Sequence, residues 1–391
     1  MTLADLQQLE SRYVMPTYAK SPVEFVRGEG ARLWDAEGRE YLDFFAGLSV
    51  HNAGHCHPKI TEAITEQTAL LAGVSNLYYT APAMRLAERL VECSLGGKVF
   101  LCNSGLEANE CALKLARKRA HRLGIDEPEV VVLDRAFHGR SIATLAATPR
   151  LAREDLFGAL PAGFVAVPPD DPDALRVAVG EGTAAVLLEP IQGEAGVFPI
   201  ADEVLVAARE ACDEAGALLV FDEIQTGMGR TGSLWAYEQL PVRPDVMTAA
   251  KALGGGLPVG ACVTAPELGD VLQVGDHGST FAGAPIAAAA ALAALEVIDD
   301  PALLRRAREL GGRFMAALGE IDAVAEVRGR GLMVGVSLTQ GMDASAVARR
   351  ALDSGLVINV PGPDMLRFLP PLVIGEEEVE TAVRVVRDVL A

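Results

Sequence analysis

The chain has 391 residues, 50% of them hydrophobic and 22% charged, the composition of a globular protein with a large core. Its length predicts two or three domains. The formal net charge of −19 argues against nucleic acid or an anionic membrane as a partner. Any anion site must therefore be built locally, from particular arginines and backbone N–H groups.

In chain order, Met1–Tyr18 is mixed and polar with no charged-then-apolar leader, so a cytoplasmic protein is expected. Residues 20–44 carry two hairpin-like pieces, around Phe25-Val26 and Ala31-Arg32-Leu33-Trp34, with Gly38 at a turn. They are expected to complete the surface of the C-terminal domain. His51, His55 and His57 lie among glycine and proline, so they read as a turn and no metal site is expected. Lys98–Cys102 reads as a strand and Glu107–Leu123 as a helix stopped by Gly124. Val130–Leu133, Ala185–Leu188, Leu218–Phe221 and Val246–Thr248 are short continuous apolar runs, as expected for strands covered on both faces of a mainly parallel sheet. Between them lie helices such as Glu203–Glu214, giving an α/β architecture. Ala282–Ile298 is apolar but alanine-rich and short for a membrane span, so a buried helix is expected. Beyond residue 290, helices near 301–318, 343–354 and 375–390 alternate with short strands, Gly331–Val336 and Leu356–Ile358, as in a separate α+β domain. The expected division is 1–44, joining the small domain, 45–289 as the large domain and 290–391 as the small one. The six cysteines form no C-x-x-C pair and read as reduced, mostly buried thiols.

Five motifs fall near expected strand ends, where α/β folds place their sites. Asn103-Ser104-Gly105-Leu106 opens a helix and offers free N–H groups to an anion, although such a segment also serves as a plain N-cap. In Phe137-His138-Gly139-Arg140 the phenyl ring can stack on a flat ring and the guanidinium can grip a carboxylate. Glu189-Pro190-Ile191-Gln192-Gly193-Glu194 sets two acids around a turn. Asp222-Glu223-Ile224-Gln225 ends an apolar run with a carboxylate able to hold a proton on a heterocyclic nitrogen. Lys251 stands alone between Thr248-Ala249-Ala250 and Ala252-Leu253-Gly254-Gly255-Gly256. A lysine in so apolar a loop loses water and can be a neutral, nucleophilic amine near pH 7. An amine paired with a carboxylate in this way is what pyridoxal phosphate (PLP) requires of a protein.

With Arg27-Gly28-Glu29-Gly30, Leu33–Gly38, Gly54-His55, Arg230-Thr231-Gly232 and Arg367-Phe368, these motifs resemble, in order and spacing, the class III, fold-type-I PLP aminotransferases, most of all the acetylornithine aminotransferases. The likeness runs from about Pro22 to the C-terminal helix. It implies a large, mainly parallel-sheet domain, a smaller α+β domain built from both termini, and PLP as cofactor. By resemblance, Lys251 bonds the cofactor and shuttles a proton, and Asp222 partners the pyridinium nitrogen. Gln225 lies near the ring hydroxyl, and Phe137 and Ile224 cover the two ring faces. Ser104, Gly105 and Leu106 form the phosphate cup. Thr280 resembles a threonine that reaches a neighbouring subunit's phosphate, which implies a homodimer with shared active sites. Arg140 resembles the residue that holds the carboxylate remote from the reacting amine. Arg367 resembles the one that takes the α-carboxylate of glutamate or 2-oxoglutarate, and Glu194 the acid that covers Arg367 when an ω-amino substrate is bound. Tyr18, Leu48, Glu189 and Ser279 complete the expected substrate contacts. Leu106 departs from the usual small residue, and Ala282 and Ala284 from glycine and asparagine.

The resemblance further implies transfer of the δ-amino group of N2-acetylornithine to 2-oxoglutarate, yielding N-acetylglutamate 5-semialdehyde and glutamate, a step of arginine biosynthesis. Ser75–Thr80 is similar to that subgroup's segment near the paired subunit's substrate, and Leu48 stands where ornithine aminotransferases have tyrosine. Ornithine, succinylornithine and a carrier-linked lysine remain alternative donors. A PLP aminomutase would leave the Arg367–Glu194 pair without a purpose, and a noncatalytic relative would not need both Lys251 and Asp222.

Overall fold

A computed structural model describes residues 1–154 and 156–391. Its centre is a seven-stranded sheet of β1 (Val99–Cys102), β2 (Glu129–Leu133), β3 (Phe164–Val167), β4 (Thr183–Leu188), β5 (Leu218–Asp222), β6 (Val246–Ala249) and β7 (Gly260–Thr264), in the order β1-β7-β6-β5-β4-β2-β3. β6, β5, β4, β2 and β3 pair in parallel, whereas β7 runs antiparallel to both β6 and β1. Residues 250–259 explain the exception. They are too few for a crossover helix, and Gly255 (φ 58°) and Gly256 (φ 109°) turn the chain straight back.

The continuous apolar runs are strands with both faces covered. Val130, Val132, Leu187 and Val220 pack on one side with the helix Gly105–Arg122, and Val131, Leu133, Leu188 and Phe221 on the other with the helix Asp202–Ala215. Each such side chain, fully buried, contributes about 1.5–3 kcal/mol. The mainly parallel α/β sheet expected from these runs is present, and β3 and β7 are additional strands.

N-terminal strands Phe25–Glu29, Arg32–Asp35 and Glu40–Asp43 form a second sheet whose fourth strand is Leu356–Val357 from the far end of the chain. There are three N-terminal strands where two hairpin-like pieces were expected, with turns at Gly30 (φ 57°) and Gly38 (φ 84°). A third, antiparallel sheet of Val324–Arg330, Met333–Leu338, Met365–Phe368 and Asn359–Gly362 packs with helices Pro301–Gly319, Ala344–Asp353 and Glu376–Leu390. The apolar stretch ending at Ile298 is a helix, Pro285–Ile298, packed against Pro58–Leu70 and Ala81–Glu92. Among the described residues, no helix is long and apolar enough to cross a membrane.

Candidate active site

The C-terminal ends of β1, β2, β4, β5 and β6 open on one side of the sheet. The segments that follow them line a single cavity of about 560 Å³. Ser104, Gly105, Leu106, Phe137, Arg140, Glu189, Asp222, Ile224, Gln225 and Lys251 all face it, with Tyr18 at its mouth.

The helix after β1 begins at Gly105, two residues earlier than the sequence suggests, because Ser104 caps it by accepting from the Glu107 N–H at 3.2 Å. The first-turn N–H groups of Gly105 and Leu106 have no intrahelical partner, and both residues line the cavity, which makes this helix start a ready anion site. Gly105 is required here: a Cβ would come within 2.5 Å of Ile224 Cδ1, so only glycine lets the helix start and the segment after β5 approach this closely.

Asp222 ends β5 with 4% exposure. Its Oδ2 accepts from Asn109 Nδ2 and His138 Nδ1, both at 2.8 Å, and its Oδ1 accepts from the Ile224 N–H at 3.1 Å. Asn109 is oriented in turn by Thr248, whose hydroxyl donates to its Oδ1 at 2.8 Å. Asn109, His138 and Thr248 were not singled out from the sequence. The available signal at all three was a place inside a recognised motif, with Asn109 also a polar residue on a buried helix face.

Lys251 sits at φ 49°, a strained conformation for a side-chain-bearing residue, on a single 3-10 turn that ends at Gly254. Burial pushes its amine pKa down. Glu194 opposes the shift, Arg367 adds to it, and Asp222 and Glu189 oppose it more weakly. Glu189 spans two site loops, accepting from the Phe137 N–H at 2.9 Å and the Gly193 N–H at 3.2 Å. Its pKa is pushed up to about 7 by burial, against the pull of His138.

Arg367 is 2% exposed on the strand Met365–Phe368. It donates through Nη1 to Glu194 Oε1 at 2.6 Å and to Gln225 Oε1 at 3.3 Å, and through Nε and Nη2 to Asn359 Oδ1 at 3.0 and 2.7 Å. Burial raises the Glu194 pKa, but the Arg367 guanidinium outweighs it and holds the carboxyl below its usual range. Arg140 is exposed, its guanidinium 5.8 Å from the Phe137 ring centre.

Arg367 and Glu194 adjoin this cavity through Gln225 and Lys251 without lining it, and three further expected site residues lie away from it. Leu48 packs beside Ile191, Val197, Met333 and Leu369, while the neighbouring Val50 faces the cavity. Ser279 Oγ accepts from Asn103 Nδ2 at 2.7 Å. Thr280 lines a second cavity of about 530 Å³, between residues 72–80 and 281–285, whose wall includes the exposed Leu77, Tyr78, Tyr79 and Phe281.

The donor set of the main cavity fits PLP. Free helix N–H groups suit a phosphate, Phe137 and Ile224 give apolar walls for a flat ring, a buried carboxylate suits a ring nitrogen, and a half-buried lysine of lowered pKa suits an aldehyde.

Comparison with known proteins agrees with this geometry. The Aminotransferase class-III family pattern matches residues 13–390. Acetylornithine aminotransferase of Gloeobacter violaceus is 47% identical over 99% of this chain and 98% of its own. That of Methanocaldococcus jannaschii is 44% identical over 97% and 96%. A structure of ornithine aminotransferase from Toxoplasma gondii, described as having partial PLP occupancy at its active site, superposes with a TM-score of 0.94 at 35% identity, covering 100% of this chain and 94% of that one. The chain belongs to the class-III aminotransferases and is a PLP-dependent enzyme.

Proposed function

We propose that the enzyme transfers the δ-amino group of N2-acetylornithine to 2-oxoglutarate. The observation that carries this reading is the buried Arg367 paired with the partly exposed Glu194 beside Lys251. One pocket must accept an uncharged chain end in one half-reaction and a carboxylate in the other. A movable acid over a buried arginine meets both needs, because an unpaired buried guanidinium is costly.

Bound PLP supplies the aldehyde that carries the amino group and a ring that draws electrons from the substrate carbon. The protein's own groups do the rest. The N–H groups of Gly105 and Leu106 would hold the cofactor's phosphate, and Phe137 and Ile224 would wall its ring. Asp222, oriented by Asn109 and His138, would keep a proton on the ring nitrogen. Lys251, with its depressed pKa, moves a proton at the reacting carbon. Arg140 holds the substrate carboxylate, and Arg367 takes that of glutamate once Glu194 swings away. Thr280 and the apolar wall around the second cavity support a homodimer in which each copy completes its neighbour's site. An amino-acid biosynthetic step of this kind belongs in the cytoplasm.

Ornithine is the second candidate donor, favoured by the closeness of the Toxoplasma structure. Leu48, whose aliphatic side chain the sequence offered as a reason to prefer the acylated donor, packs outside the cavity and does not bear on the choice. The test is kcat/KM for N2-acetylornithine and for ornithine, each with 2-oxoglutarate. A preference for ornithine would overturn the reading.

A further inference from the structure

We infer that Asn359 is a specificity-determining positioning residue. It holds Arg367 in place with a neutral acceptor and so keeps the full charge of the arginine available to an incoming carboxylate. The inference rests on the reading of Arg367 as the α-carboxylate site.

Asn359 and Arg367 are cross-strand partners in the antiparallel pair Asn359–Gly362 and Met365–Phe368. The register brings the Asn359 amide oxygen against one edge of the guanidinium, where it accepts from Nε at 3.0 Å and Nη2 at 2.7 Å. A guanidinium has only donors, so the oxygen, and not the NH2 group, must face it. On the other side, Nη1 meets Gln225 Oε1 at 3.3 Å and Glu194 Oε1 at 2.6 Å. Arg367 therefore has two amide partners and one ionic partner. The ionic partner, Glu194, comes from the loop after Glu189 with its side chain 32% exposed, whereas Arg367 is 2% exposed.

This division of labour matters. If a carboxylate occupied the Nε–Nη2 edge, a buried arginine would be neutralised permanently, and Glu194 leaving would expose no charge for the substrate. If the edge had no acceptor, the guanidinium would lose two hydrogen bonds and its fixed orientation. An asparagine oxygen satisfies the donors and leaves the charge to be claimed by Glu194 or by substrate in turn. Asp and Asn are nearly isosteric, so the charge at position 359 can be changed with almost no change in shape.

The test uses the holoenzyme with glutarate, a dicarboxylate that cannot react, titrated calorimetrically, together with single-turnover rates of each half-reaction. Asn359→Asp should weaken glutarate binding by about tenfold to a hundredfold, as expected when one charge of a buried pair is claimed by a fixed partner. It should slow the glutamate half-reaction several-fold more than the ω-amine half. Asn359→Leu removes the acceptor without adding charge and should rank between wild type and Asn359→Asp in glutarate affinity. Unchanged glutarate affinity in Asn359→Leu, or equal losses in both half-reactions for Asn359→Asp, would overturn the inference. Arg367→Ala separates the two levels. If it leaves glutarate binding intact, Arg367 itself is misread. If it abolishes binding while both Asn359 variants bind normally, only the role of Asn359 falls.

Discussion

Glu194→Ala tests the dual-substrate site most directly. In the resting structure Glu194 Oε1 lies 2.6 Å from Nη1 of the nearly inaccessible Arg367. Opposite charges about 4 Å apart attract by roughly 4 kcal/mol at an effective dielectric near 20. Glu194 is 32% exposed, and its own desolvation opposes the pairing, so a net loss of about 1–3 kcal/mol is reasonable. Removing the carboxylate acts with opposite signs on the two substrates. Acetylornithine would bind beside an uncovered guanidinium, whereas glutamate would no longer have to displace Glu194. The kcat/KM ratio of N2-acetylornithine to glutamate should therefore fall, by about tenfold to a hundredfold at ~1.4 kcal/mol per decade. The assay is that ratio, measured for wild type and Glu194→Ala under identical conditions. If both rates fall together and the ratio holds, Glu194 is not the cover of Arg367 and the two-state pocket is wrong.

Borohydride reduction followed by digestion and mass spectrometry is expected to find the cofactor mass on the Lys251 peptide, and Lys251→Ala should lose most turnover; an adduct on another lysine would reject the assignment. Asp222→Asn keeps the shape but not the charge that holds the ring-nitrogen proton, so turnover should drop by ~10³-fold or more, about 4 kcal/mol, and near-normal turnover would refute the role. Glu189 has a folded-state pKa raised from 4.5 to about 7, so the native state binds more protons there than the unfolded state. Its contribution to stability is then full below about pH 4.5 and is lost as pH rises through about 7. Denaturant titrations across that window should give a shallower pH slope for Glu189→Gln than for wild type, and identical slopes would contradict the shift.

The sequence displayed what depends on local pattern. Val130–Leu133 and Leu218–Phe221 read as strands because alternate residues of each run face two different apolar layers, which leaves no polar position. Ser104 and the glycines around Lys251 announced a cap and a turn through their backbone chemistry. Polar groups whose partners arrive from distant segments were not legible. Asn109 is one polar residue on a helix, and only the packing of that helix on β5 and β6 brings its amide to Asp222 and Thr248. Asn359 likewise gains meaning from its register opposite Arg367. Strand β7 was missed because Gly260-Ala261-Cys262 has little side-chain signature, and its direction follows from the length of the preceding loop.

The turn that carries Leu48 shows how buried charge supports the site from outside it. Ala46, Gly47, Leu48 and Ser49 take φ values of 49°, 60°, 67° and 62°, a complete left-handed turn in which only one residue is glycine. Each of the other three costs roughly 1–2 kcal/mol in this conformation. Such a segment persists only if its surroundings over-determine it. Asp43 Oδ1 accepts from the Phe45 and Ala46 N–H groups, both at 2.9 Å, at the entrance to the turn. At its exit, Arg230 Nε donates to Ser49 Oγ at 2.9 Å and Nη2 to Asn52 Oδ1. Nη1 of the same arginine donates to the Leu332 carbonyl at 3.0 Å and the Pro370 carbonyl at 2.6 Å. Arg230 is fully buried among neutral acceptors, and burial lowers its pKa to about 9, with Asp43 pulling it back up. One guanidinium thus ties the left-handed turn to the segments leading into Met333–Leu338 and following Met365–Phe368. The strand bearing Arg367 and the turn leading to Val50, which lines the cavity, are tied to the same group and held in one frame.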